Sequence, residues 1–325
     1  MKLLLVNAGS SSLKYTLTDG KKRIKKEQNN ITSQKEYDNT VEKMIVEAKK
    51  FSVEYVIHRI VHGYGQKKTE FYNEKIGKKI LSSFKIAPLH SIVELKIIGR
   101  IKREKIRQIC VFDSLPYDNL PEYPLPNQLI KKYNIKRFGF HGLSHKSMRE
   151  STKEKTIITV HLGSGSSVTG WKQNNTVFHS MGFSPNEGMV MMTRTGSIDP
   201  GILTFLMRQK YDADSIDNIL NKESGMRAIC KNNDFKTIIS RMKKRNEYEK
   251  AYNAFVNSAA ENILRATVYT GKPDRILFAG AIGEHSKKTV NDIMKRTMLK
   301  VKYSSLKTDE EGIMIEEAEK IIHKS

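Results

Sequence analysis

Two short glycine and serine turns, each entered from a strand-like apolar run, constrain this chain more than any other feature. Leu3 to Lys14 reads LLLVNAGSSSLK, and Ile157 to Val168 reads IITVHLGSGSSV. Placing Val6 on Val160 puts Gly9 on Gly163, Ser10 on Ser164 and Ser12 on Ser166, so the chain reads as an internal duplication. A β run entering such a turn exposes successive backbone N–H groups and hydroxyls, with no bulky side chain to hold off a tetrahedral oxyanion. One such turn alone is a common hairpin connection. Two in register make a pair of phosphate sites the stronger reading.

At 325 residues the chain exceeds what one core usually organises, and two domains are expected. Hydrophobic residues at 38% and charged residues at 28% fit a soluble globular protein. No apolar run approaches the roughly 18 residues of a membrane helix, and the run after Lys2 ends at Asn7, too short for a signal-peptide core. A cytoplasmic protein without a membrane partner is expected. Cys110 and Cys230 have no partner cysteine at metal or redox spacing and read as buried thiols of a reducing compartment. The net charge of +22 raises nucleic acid as a partner. Its basic residues are scattered, however, over Lys21 to Lys26, Arg100 to Arg107, Arg241 to Arg245 and the last residues, with acids interspersed. That pattern reads as a solvated lysine-rich surface, with attraction of an anionic substrate as the alternative and no nucleic-acid partner.

Residues 3 to 6 and 13 to 17 read as a hairpin around the first turn, and Val41 to Ala48 has helical spacing. Val53 to Ile60 reads as a buried strand running into HRIVHG, His90 to Ile106 as a helix, and Ile109 to Phe112 as a strand with Asp113 at its carboxyl end. Pro116, Pro121, Pro124 and Pro126 then mark a domain boundary. Further on, Phe255, Val256, Ala259, Ile263 and Val268 predict one buried face of a long helix closed by Gly271. A strand at Arg275 to Phe278 leads into the glycine-containing turn Gly280 to Gly283, and Glu311 to Ile322 reads as a final helix.

The familiar phosphate and metal signatures G-x-x-x-x-G-K-[ST], G-x-G-x-x-G and H-E-x-x-H are absent, as is a kinase catalytic loop. Phosphate chemistry would therefore have to use the paired turns. Phosphoryl transfer needs cations around the moving group, a metal held by carboxylates and an acceptor kept in line. Arg59 and Arg194 are candidate cations, with structural salt bridges as the alternative. Asp113 is a candidate for Mg²⁺, or a strand-end cap; His141, between glycines in RFGFHGLSH, sits where a small loop could present its imidazole, or is a structural histidine.

Taken together, NAGSSSLKY, HRIVHG, APLH, VFDS, RFGFHGLSH, HLGSGSSV, SMGFSPNEG, TRTGSIDPG, LNKESG and GAIGE, in this order, closely resemble the acetate and propionate kinase family. The resemblance implies an α/β, duplicated two-lobe fold of the acetate and sugar kinase/Hsp70/actin superfamily, with ribonuclease H-like lobes. It implies reversible, Mg²⁺-dependent (or Mn²⁺-dependent) phosphoryl transfer from ATP to acetate, or to propionate or another short acid; a member degenerate in catalysis is the further alternative. Residues 1–117 would form one lobe with helix 312–325 packed back on it, and 118–311 a lobe for nucleotide binding and homodimerisation.

Carried over by motif, Arg59, Asp113, His141 and Arg194 match the catalytic set, and Asn7 and Glu310 the residues at the metal. Ser10, Ser12 and Lys14 match the first phosphate turn; His161, Gly163, Ser164 and Gly165 match the second. Asp234, Phe235 and Lys236 match positions beside adenine and ribose, and Ala281, Ile282, Gly283 and Glu284 the nucleotide turn. Val61, Leu89, Phe140 and Pro185 match the pocket for the acceptor's methyl group. Valine at 61 leaves less room than the alanine of propionate-preferring relatives, which favours acetate, one methylene being worth about 1–3 kcal/mol. The chain departs from the family pattern at Tyr64 (glycine in HGG), Ser164 (asparagine), Lys236 (arginine), Ala281 (glycine) and His285 (asparagine).

Overall fold

The computed structural model describes residues 1–9, 12–29, 31–83 and 88–324, those of 88–91 by backbone alone. The chain forms two compact units, Met1–Pro116 with Asp309–Ser325, and Tyr117–Thr308.

The first unit is built on a six-stranded sheet. β1 (Leu3–Ala8), β2 (Leu13–Thr18) and β3 (Arg23–Gln28) form an antiparallel meander, and β4 (Tyr55–Ile60) and β6 (Arg107–Phe112) add parallel to β1. The two-residue β5 (Glu70–Phe71) closes the far edge. Residues 3 to 6 are buried throughout, as a central strand covered on both faces requires. Helix α1 (Gln34–Phe51) starts where the Ser33 side chain accepts from the Glu36 N–H and stops at Ser52 in the left-handed region. It buries Val41, Met44, Ile45 and Ala48, the spacing of a single stripe. Helices α2 (Glu74–Ser82) and α3 (Pro88–Lys102) complete this part. β3 was not predicted. Its sequence RIKKEQ has no apolar alternation, and an edge strand rich in lysine is recognisable only through its register with β2.

The second unit opens with α4 (Asn127–Tyr133) and α5 (Gly142–Glu150), followed by the meander β7 (Thr156–Leu162), β8 (Ser166–Lys172) and β9 (Asn175–His179). Then come α6 (Pro200–Arg208), α7 (Ala213–Asn218), a π-helical turn at Ile219–Glu223, α8 (Gly225–Cys230), α9 (Phe235–Arg241) and α10 (Glu247–Thr270). β10 (Arg275–Ala279), α11 (Gly280–His285), α12 (Lys287–Thr297) and β11 (Lys302–Ser305) finish it. Finally α13 (Glu310–Ile322) packs on β4 and β6 of the first unit.

Sheet order exposes the duplication. The first unit runs β3-β2-β1-β4-β6 and the second β9-β8-β7-β10-β11, each an antiparallel meander extended by two parallel strands. The turns themselves differ in length. Ala8 pairs with Leu13 but Leu162 pairs with Ser166, so the paired positions are five residues apart in the first hairpin and four in the second. The predicted match of Ser12 with Ser166 therefore fails by one residue: Ser166 opens β8 at the level of Leu13. The Gly280 to Gly283 segment is the first turn of α11 rather than a loop.

Helix α10 corrects one further expectation. Phe255, Val256, Ala259 and Ile263 are buried, but Val268 is 81% exposed. It lies five residues beyond Ile263, well off the stripe, which continues at Ala266 and Thr270.

The first unit also buries an acid. Glu94 of α3 is 3% exposed; its Oε1 accepts from the Val61 N–H at 2.9 Å, while Oε2 has no partner among the described residues. Burial raises the carboxyl to about 8, against the smaller pull of the Val61 N–H. A carboxyl held above its unfolded value contributes stability that is complete below about 4.5 and lost as pH rises through about 8. Glu94→Gln, which keeps the acceptor, should flatten the fall in urea midpoint between pH 5 and pH 8; an unchanged slope would assign that fall elsewhere. In the second unit Gly139 has φ +74°, and a Cβ there would stand 2.2 Å from the buried Tyr117 ring. Strain and overpacking together should make Gly139→Ala cost roughly 2–4 kcal/mol in urea unfolding. An unshifted midpoint would mean that the ring moves aside freely.

Candidate active site

In the first unit the candidates gather at the carboxyl ends of the parallel strands. Asn7 is near the end of β1, Arg59 near the end of β4 opposite Val111, and Asp113 follows β6, its N–H extending the ladder to Ile60 O at 2.9 Å. In open α/β sheets this edge is where ligands bind. The guanidinium of Arg59 donates from Nε to both Asp113 oxygens at 3.2 Å and from Nη2 to Oδ2 at 2.9 Å. Nη1 meets Glu310 Oε2, on the first turn of α13, at 3.0 Å. Burial works against the charge of Arg59, but the two carboxylates outweigh it and hold its pKa above the ordinary arginine value.

The other first-unit candidates are less uniform. The Gly9 N–H donates to Ser12 O at 2.8 Å across the turn. Lys14 forms an ion pair with Glu27 of β3 at 2.6 Å, both half exposed. Val61 is half-buried with its N–H fixed by Glu94. Ser10 and the Leu89 side chain lie outside the described residues.

In the second unit His141 caps α5 with φ 56°, a left-handed conformation that a non-glycine residue adopts at some cost. Its Nδ1 is 2.8 Å from Ser167 Oγ, and its ring stacks on His161 with centroids 4.5 Å apart. His161 Nδ1 in turn meets Ser144 Oγ at 2.8 Å. A Cβ on Gly165 would lie 3.2 Å from His141 Nε2 and 3.3 Å from Arg194 Nη1, so the bare backbone of the second turn lets the imidazole and the guanidinium come to one spot. Arg194 is half-buried and, among the described residues of its unit, has no carboxylate partner; its Nη1 lies 3.9 Å from Met191 Sδ. Burial alone lowers its pKa from the usual arginine value. A cation desolvated in this way gains from any anion that reaches it.

Next to the same turn lies a cavity of about 830 Å³, whose lining includes Gly163, Ser164, Asp234, Phe235, Lys236, Ala281 and Ile282. His285, already noted as a departure from the family pattern, also lines it, as do Met192, Ile239 and Ser286, which motif reading did not single out. Gly283 and Glu284 belong to α11 behind Ile282. The Asp234 carboxylate is committed to its own helix: it caps α9 by accepting from Thr237 N at 2.8 Å and Thr237 Oγ1 at 2.6 Å. Of the methyl-pocket candidates in this unit, Phe140 is buried and Pro185 half-buried. Behind His141 stand Ser167, His145 and Thr159, a polar row that sequence reasoning missed. The His141/His145 spacing on α5 was the available signal.

The comparisons with known proteins agree with one another. The profile of the Acetokinase family matches residues 22–324. The chain is 32% identical to an acetate kinase of Sulfurovum sp. (strain NBC37-1), over 88% of this chain and 83% of that protein. Its fold superimposes on a propionate kinase of Francisella tularensis with TM-score 0.86 at 26% identity, covering 97% of this chain and 98% of the other. For Porphyromonas gingivalis acetate kinase the TM-score is 0.82 at 25% identity, covering 99% of each chain. Repeated meander-plus-parallel sheets flanked by helices, together with these likenesses, are those of the actin-like ATPase fold. The chain therefore belongs to the acetokinase family of carboxyl-group phosphotransferases.

Proposed function

We propose that this protein is an acetate kinase, moving the γ-phosphoryl group of ATP onto acetate by direct in-line displacement to give acetyl phosphate and ADP, reversibly. The observation that carries the reading is the meeting of desolvated Arg194 and His141 Nε2 over Gly165, beside a nucleotide-sized cavity. Phosphoryl transfer asks the protein for position and electrostatic stabilisation more than for covalent chemistry, and this turn supplies both.

In this mechanism an acetate oxygen attacks the γ-phosphorus as the bond to the ADP oxygen breaks. Arg59 and Arg194 bind the carboxylate and the spreading negative charge, and His141 donates a hydrogen bond to the moving phosphoryl. The nucleotide occupies the cavity between Asp234–Lys236 and Ala281–Ile282, its phosphates toward His161, Gly163, Ser164 and Gly165. Ser12 would serve the phosphoryl, and Lys14 would first exchange its partner Glu27. Asp113 and Glu310, hard oxygen donors held in place by one guanidinium, suit Mg²⁺ or Mn²⁺, with Asn7 on the same strand edge. The ion's chemistry is to neutralise phosphate charge.

Val61, Leu89, Phe140 and Pro185 would enclose the methyl group, and Val61 favours acetate over propionate by roughly 10-fold or more in kcat/KM. The Francisella likeness keeps propionate as the second reading, which the reverse preference would establish. Exposed apolar side chains on α6 (Ile202, Phe205, Met207) and on α10 (Leu264, Val268) fit a homodimer formed through the second unit. Light scattering at twice the chain mass would support it, and a single-chain mass overturns it. Two buried free thiols fit a cytoplasmic location.

Trapping acyl phosphate with hydroxylamine in the presence of ATP, Mg²⁺ and acetate tests the activity; ATP binding without trapped product would leave a nucleotide-binding protein. Arg194→Ala should cut kcat by roughly 100- to 1,000-fold without loss of stability, because no ion pair within its unit is broken. Arg59→Ala should cost activity and also about 3–5 kcal/mol of stability, since two carboxylates lose their counter-charge. Near-normal turnover in either variant removes that arginine from the mechanism.

A further inference from the structure

The polar row behind His141 has a direction. Trp171 Nε1, which can only donate, gives its hydrogen to Thr159 Oγ1 at 2.9 Å. Thr159 Oγ1 is 2.8 Å from His145 Nδ1, His145 Nε2 is 2.8 Å from Ser167 Oγ, and Ser167 Oγ is 2.8 Å from His141 Nδ1. Thr159 has one hydroxyl hydrogen. Its competing acceptor, Thr169 O, is 3.5 Å away, beyond the ordinary range for an O–H donor. The hydrogen therefore goes to His145 Nδ1. His145 is buried, and desolvation, with His179 and His161 nearby, lowers its pKa well below the usual histidine value, so it carries a single ring hydrogen. With Nδ1 accepting, that hydrogen sits on Nε2 and is donated to Ser167. Ser167 then has its own hydrogen left for His141 Nδ1, and the ring hydrogen of neutral His141 must lie on Nε2.

We infer that Thr159, His145 and Ser167 are positioning residues, a one-way hydrogen-bond wire that fixes His141 as an Nε2–H donor aimed over Gly165. Reversing the wire would send the Thr159 hydrogen to the distant carbonyl and turn Nε2 into an acceptor, which repels phosphoryl oxygens. The neighbouring histidine shows the contrast. His179 Nε2 accepts from the Phe140 N–H at 3.1 Å, and Nδ1 faces Thr169 Oγ1 at 2.8 Å, so His179 carries its hydrogen on Nδ1. The inference about the wire stands on hydrogen-bond geometry; its consequence for rate rests on the proposed role of His141.

Long-range ¹H–¹⁵N NMR of the full chain labelled at histidine reads the tautomers directly, with signals assigned through His141→Gln, His145→Gln and His179→Gln. His141 and His145 are expected as Nε2–H and His179 as Nδ1–H; His141 as Nδ1–H overturns the wire. Thr159→Val, three hydrogen bonds from His141, should shift His141 toward Nδ1–H and lower kcat roughly 10-fold, with KM for ATP and acetate unchanged. Thr159→Ser, which keeps the hydroxyl, should restore both. Equal effects of valine and serine would reduce Thr159 to packing and overturn its positioning role. If the tautomers are as inferred but His141→Gln turns over normally, the wire stands and the catalytic reading of His141 fails.

Discussion

A single guanidinium organises the first unit. An arginine cannot shed its proton to escape a buried site, so the chain must bring negative charge to it. Asp113 comes from the end of the neighbouring strand and Glu310 from a helix at the far end of the sequence, and both reach Arg59 within 3.0 Å. The same meeting fixes where α13 begins. Asp309 accepts from Arg23 at 2.6 Å and Glu311 from Thr16 at 2.8 Å, so β2 and β3 are tied to that helix start beside the clamp. Ile313, Met314 and Ala318 then bury the helix against the sheet.

The second unit solves the opposite problem. Arg194 is desolvated without an acid in its own unit, and its neighbours are a thioether, a glycine turn and an imidazole. The first arginine is satisfied and held rigid, whereas the second is left with its field unspent. A protein that must attract a multiply charged anion and then act on it has use for both states. In the proposed mechanism one cation would set geometry and the other would supply the pull.

The features legible in the sequence were those set by local chemistry. Strand runs, glycine turns and a proline boundary follow from residues a few positions apart, and the duplicated turns foretold sheets with a common strand order. The turn lengths did not follow, because one residue more or less in a hairpin leaves the motif unchanged while shifting the register. β3 was hidden by its polarity, and Val268 was misplaced because apolar character was read without its angle around the helix. Arg59, Asp113 and Glu310 were named singly, yet their mutual clamp joins positions no local pattern connects. Asp234 was assigned to the nucleotide, and its commitment to capping α9 emerges only from the distances to Thr237. Glu94 was invisible within a helical pattern, since burial is not a property of the residue itself.

The return of the last helix to the first unit bears on how the protein is made. Strands β1 to β6 leave the ribosome long before Glu310 exists, and until then Arg59 has half its counter-charge and the face under α13 stays uncovered. Domains ordinarily mature in the order of synthesis. Here the unit begun first is finished last, because the face that α13 covers waits until the whole second unit has been made.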